Sequence, residues 1–97
     1  MTKQEIKINL ENAVNAVKED GSRMKEINLE RYNQVMDWID DLATEMLNGL
    51  EEMYNDKFYG ITDTKSFLEQ YRMCKWVANF GDTGVKIYYA ICQKVGV

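Results

Sequence analysis

From Leu29 to Met53 the apolar residues recur in steps of three and four: Leu29, Tyr32, Met36, Ile39, Ala43, Met46, Leu50 and Met53. That is the heptad spacing of a packed helix, and few other periods fit it. A helix over these residues would be roughly 37 Å long. In a chain of only 97 residues, every other segment must then pack along this rod or leave its seam to a second copy. Val35 and Leu42 widen the seam on one flank, and Leu47 and Tyr54 on the other, which suits a globular bundle better than a narrow two-stranded coil. Three of the seam positions are Met and one is Ala, softer than the Leu and Ile of a strict dimer. A homodimer through the central helix is the other use the seam allows.

The preceding segment places Ile6, Leu10, Ala13, Val14 and Val17 on one face of a helix that would lie along the rod. Alternation of Ile6, Ile8 and Leu10 offers a short strand as the lesser reading. Asp20-Gly21-Ser22 closes this helix, with Gly21 suited to a left-handed C-terminal position and Ser22 to an N-cap. The rod starts between Ser22 and Asn28. An interior glycine costs a helix roughly 1 kcal/mol against alanine, so Asn48-Gly49 is its weak point. The seam keeps its phase through Leu50 and Met53, and continuity is expected.

After a turn at 55–60, Thr62 or Asp63 caps a third helix with Phe67, Leu68, Tyr71, Cys74 and Ala78 on its core face; Trp76 falls off that face. Tyr54, Phe58 and Tyr59 form an aromatic cluster expected to close the core. Gly81-Asp82-Thr83-Gly84 breaks the pattern. Residues 85–95 read as a fourth helix behind an Asp82 or Thr83 cap, burying Val85, Tyr88, Cys92 and Val95. They also read as a strand alternating Val85, Ile87, Tyr89 and Ile91, paired with residues 75–80 or with Ile6–Leu10. The expected fold is a single all-α domain over residues 1–97, a small bundle organised around one long central helix, with a C-terminal β-hairpin as the alternative.

Several chemistries lack their residues. Histidine is absent, removing the usual general base and the commonest transition-metal ligand. Cys74 and Cys92 lie outside any CxxC spacing, and no signal-peptide pattern is present, so both read as reduced thiols of a cytoplasmic protein. No run of apolar residues is long enough to span a bilayer. Asp82-Thr83-Gly84 resembles the catalytic triplet of aspartic proteases over these three residues. In that family the triplet sits early in an all-β chain, whereas here it nears the C-terminus of a helical one, and turn chemistry accounts for it. With no nucleophile beside a base, no phosphate-cradling glycine loop and no ligand cluster, neither catalysis nor a cofactor or metal is expected.

Charge carries the remaining signal. Residues 1–31 hold six acids and six bases, residues 32–56 seven acids and no base, and residues 57–97 three acids and six bases. In the heptad frame Asp37, Asp41, Glu45, Glu51 and Glu52 fall opposite the seam, with Asp40 on a flank and Trp38 among them. Such a face is either a solvated exterior or a row of carboxylates that docks on a basic groove in place of nucleic-acid phosphates. Trp38 is either covered by another segment or an exposed anchor. The expected function is therefore a small, non-enzymatic protein-interaction module. One form of it is a phage or mobile-element inhibitor, an anti-defence DNA mimic that blocks a host nucleic-acid-binding protein through Asp37, Trp38, Asp40, Asp41, Glu45, Glu51 and Glu52. The alternative is a helix-turn-helix-like DNA-binding regulator using Lys57, Lys65, Arg72, Lys75, Lys86 and Lys94. Those cations are spread out, and the acidic rod would repel phosphates, so direct nucleic-acid binding is the weaker reading.

Overall fold

The computed structural model describes residues 1–55, 60–73 and 81–96. Its elements are α1 (Lys3–Asp20), α2 (Met24–Ile27, a single turn), α3 (Leu29–Tyr54), α4 (Thr64–Met73) and α5 (Gly81–Val95). The fold is all-helical, and α3 is the rod the seam required. Its 26 residues correspond to about 39 Å, most of the molecule's 45 Å long axis. It passes through Gly49 without a break.

Local chemistry sets the helix starts. Thr2 and Glu5 form a reciprocal capping box on α1, the Thr2 hydroxyl accepting from the Glu5 N–H and the Glu5 carboxylate from the Thr2 N–H. Asn28 caps α3, its side-chain oxygen accepting from the Arg31 N–H at 3.0 Å. Asp63 caps α4 by accepting from the Ser66 N–H at 2.7 Å, while the Ser66 hydroxyl accepts from the Thr62 and Asp63 N–H groups. Of the two residues expected to cap this helix, Asp63 does so.

α1 lies antiparallel to α3. Near one end Lys3 bridges to Glu51 and the Tyr54 hydroxyl donates to the Met1 carbonyl; toward the other Lys18 bridges to Asp40. Ile6, Leu10, Ala13 and Val14 meet Ile39, Leu42, Met46, Leu50 and Met53, and α4 and α5 complete the core with Phe67, Leu68, Tyr71, Ile87, Tyr88 and Ile91. α5 packs chiefly on α1 and also on α3.

Residues 85–95 form the expected fourth helix and not the alternative hairpin strand, because the residues buried are Gly84, Ile87, Tyr88, Ile91 and Cys92, a three-and-one spacing that only a helix puts on one face. Four finer expectations are corrected. The buried face is thus turned from the expected one, leaving Val85 and Val95 half-buried. Asp82 and Thr83 lie inside the first turn of α5, which begins at Gly81. Gly21 is right-handed (φ −82°), its N–H bonding back to Val17 and Lys18; a Cβ there would come within 3.1 Å of the Met36 methyl, so close approach is what the glycine permits. Ser22 caps nothing, and a single-turn helix, α2, intervenes before Asn28.

The seam's first residues also depart from expectation. α1 ends at Asp20, level with Met36, so Tyr32 is only half-buried and Leu29 is 54 % exposed, while Ile27 of α2 is 85 % exposed. Among the described residues only α2 covers this end, with Lys25 over the Tyr32 ring at 6.0 Å. Expectations for Phe58, Tyr59, Cys74, Trp76 and Ala78 lie outside the described residues, as do Lys57 and Lys75. Cys92 is a buried free thiol, which burial holds above its ordinary pKa.

Candidate acidic face

Each residue of a helix is turned 100° from the one before it, and this rotation sorts the acids of α3 into two rows. Asp37, Asp41, Glu45 and Glu52 fall within about 80° of one another, together with Gln34 and Asn48; all six are exposed. Asp40 and Glu51 fall on the neighbouring row, nearer the flank that carries Ala43 and Leu47. This flank faces α1, and α1 carries cations there: Lys18 reaches Asp40, and Lys3 reaches Glu51 at 2.7 Å. Among the described residues, Asp37, Asp41, Glu45 and Glu52 make no ion pair.

The seven candidate residues therefore divide by environment. Two carboxylates are neutralised across the α1–α3 interface. Four form an unpaired stripe with spacings of four, four and seven residues, about 6, 6 and 10 Å along the axis. Toward its C-terminal end the stripe is interrupted by a notch of about 240 Å³ lined by Glu45, Asn48, Gly49 and Glu52. Gly49 contributes no side chain to fill it. Behind the row lies the Tyr71 phenol, held protonated well above its ordinary range by burial first and by the negative charge of Glu45 second.

Trp38 resolves into neither of the two expected states. It is half-buried against the core, and the Arg31 guanidinium, two turns earlier, covers its ring at 5.0 Å. This cation–π contact covers part of the half-buried indole beside the stripe and puts the one cation of α3 at the stripe's N-terminal end. Arg31 is steadied further by donating to the Gln34 side-chain Oε1 at 3.1 Å.

The cations that suggested a DNA-binding segment are scattered. Lys65 and Arg72 are exposed on α4 and Lys86 on α5, whereas Lys94 is tied to Asp20, the last residue of α1, at 2.7 Å. No group of three or more Cys, Asp or Glu side chains among the described residues is arranged to hold a metal ion. No described helix is long and apolar enough to cross a membrane.

Sequence reasoning missed the groove that flanks the acidic face. Leu10 and Val14 of α1 and Ala43, Met46 and Leu47 of α3 line a half-open, mainly apolar groove of about 240 Å³, with Glu11 and Asn15 at its mouth. The signal for it was the small Ala43 in an otherwise bulky seam. No family model, curated relative or solved structure matches this chain.

Proposed function

We propose that this protein is a non-catalytic interaction module that docks the stripe Asp37–Asp41–Glu45–Glu52 on a basic groove of a partner protein, where it takes the place of nucleic-acid phosphates. The observation that carries the reading is selective pairing: α1 lysines neutralise Asp40 and Glu51 but leave four carboxylates on one row without a partner among the described residues. A row of like charges is self-repelling, so it does nothing for the helix that bears it. It becomes favourable only against cations supplied from outside.

Charge density limits what is imitated. Four charges spanning about 22 Å lie on average about 7 Å apart, against 3.4 Å along a single strand of B-DNA. The stripe thus imitates about every second phosphate along a short run of one strand. A groove that grips backbone phosphates of single-stranded or partly unwound nucleic acid suits it better than a duplex clamp.

The test is affinity capture from lysate with the native protein and with the triple variant Asp37→Lys, Asp41→Lys, Glu45→Lys, followed by nucleic-acid binding assays on whatever is captured. The expected result is a partner recovered only by the native protein, released by salt, whose nucleic-acid binding the native protein inhibits and the variant does not. Retention of every partner by the variant refutes the docking surface. Binding of nucleic acid by the variant but not by the native protein would favour the regulator reading instead.

A further inference from the structure

We infer that the α1–α3 groove receives one large apolar side chain from the same cationic partner segment that the acidic stripe engages; this rests on the proposed docking function and names the second half of the recognition element. The occupant is thus one amphipathic basic helix of those that line the partner's groove, carrying a single Leu-, Phe- or Trp-sized anchor.

Three observations carry it. The groove has the right size and lining: about 240 Å³ walled by Leu10, Val14, Ala43, Met46 and Leu47, where an apolar cavity of roughly 150 Å³ already holds benzene. Its walls are set in advance by the packing of α1 on α3, in which Leu10, Val14 and Met46 are buried, and this lowers the ordering cost of binding. Charge brackets it: Glu11 stands at the mouth on α1, and beyond the ridge of Asp40 and Thr44 runs the free row with Asp37 and Asp41. The groove flank of Ala43 and Leu47 and that row are separated by about 80–160° around α3, an arc that a helix of about 10 Å diameter lying across the rod covers. Lys7, half-buried one turn before Glu11, is the opposing charge nearby. It sets the end of the groove toward which the ligand's cations do not point.

Two synthetic 14-residue peptides with the same Lys/Arg pattern, one bearing Phe and the other Ala at the central position, provide the test. Each is titrated into the isotopically labelled native chain and followed by NMR. The Phe peptide is expected to bind roughly 10- to 100-fold more tightly, the value of burying one such side chain, and to shift the methyl signals of Val14, Ala43 and Leu47. Ala43→Met, which fills the groove at a partly exposed position, should remove the Phe advantage while leaving the binding common to both peptides. Leu47→Ala, which takes away a wall, is the second variant should Ala43→Met not fold. Lys7→Glu should tighten both peptides. Equal affinities, or Phe-dependent shifts elsewhere, overturn the anchor site while leaving the acidic stripe in place. Binding of both peptides that survives the Asp37, Asp41 and Glu45 reversal overturns the docking reading itself.

Discussion

Asp41 sits between Asp37 and Glu45 at i−4 and i+4, so the acidic stripe has a measurable cost to the fold. Like charges four residues apart on a helix destabilise it by about 0.2–0.5 kcal/mol per pair. Asp41→Asn removes two such pairs and should stabilise the chain by about 0.4–1 kcal/mol. Asp41→Lys reverses both and should gain about twice as much. For a domain of this size each kcal/mol is about 4–8 °C in Tm, so Asp41→Asn should melt about 2–8 °C higher at low salt. Asp and Asn have similar helix propensity, which makes the Asn variant the cleaner probe of charge alone. Neighbouring carboxylates lie about 6 Å apart along the axis, below the 10 Å screening length at 0.1 M salt but above the 3 Å length at 1 M. Thermal unfolding by circular dichroism at 10 mM and 1 M NaCl should show the gain and then its loss. An Asn variant that melts no higher than the native protein at 10 mM salt, or whose gain persists at 1 M, would mean that Asp41 is not part of an unpaired row, and the docking surface would go with it.

Other outcomes follow from the packing and the caps. Leu42 is fully buried at the centre of α3, so Leu42→Ala should cost about 2–5 kcal/mol in urea unfolding; a cost under about 1 kcal/mol would place α3 in a different rotation. The Tyr88 hydroxyl donates to the Leu68 carbonyl at 2.5 Å in a buried site, and Tyr88→Phe should cost about 1 kcal/mol without altering the helical circular dichroism. Hydrogen bonding to Thr2 and to Ser66 depresses the carboxyls of Glu5 and Asp63 below their ordinary values. Depressed groups stabilise the fold fully above the ordinary carboxylate range, and that contribution is lost as pH falls through their folded values. Asp63→Asn should therefore flatten the acid limb of Tm against pH. Lys3→Met with Lys18→Met keeps the apolar stems but frees Glu51 and Asp40; exposed pairs of this kind are worth only about 0–1 kcal/mol each, so Tm should hardly move while salt-sensitive partner affinity rises.

The rod was legible because one helix carries its own register: a seam of eight residues fixes both the period and the inward face, and Ile39, Met46, Leu50 and Met53 are buried where that seam put them. The face of α1 was readable for the same reason. What failed depended on partners far away in sequence. Leu29 satisfies the heptad as well as Leu50 does, yet it is exposed, because covering it would need α1 to continue beyond Asp20. Residues 85–95 satisfied two periods at once, and the burial of Gly84 and Ile87, Tyr88, Ile91 and Cys92 against neighbouring helices selected the helical one. Gly21 looked like a left-handed stop, but its backbone is right-handed, and a Cβ there would press on the Met36 methyl of the next long helix.

The candidate site was legible as charge and illegible as surface. Residues 32–56 carry seven acids and no base, a block that by itself implies one uniform negative face. Which of these acids faces solvent unpaired is decided by α1, whose Lys3 and Lys18 project from its buried side toward one flank of α3 and stop there. Two carboxylates that look equivalent to their neighbours are thereby paired at the surface, and the groove between the helices lies beside a row the lysines do not reach. A binding element made in this way joins an apolar slot to a line of unmatched negative charge, and the two are held in fixed relation by the packing of α1 on the helix that carries the row. Charge reversal on the row and filling of the slot therefore act on separable parts of a single contact, and a partner that needs both should lose affinity by nearly additive amounts when both are changed.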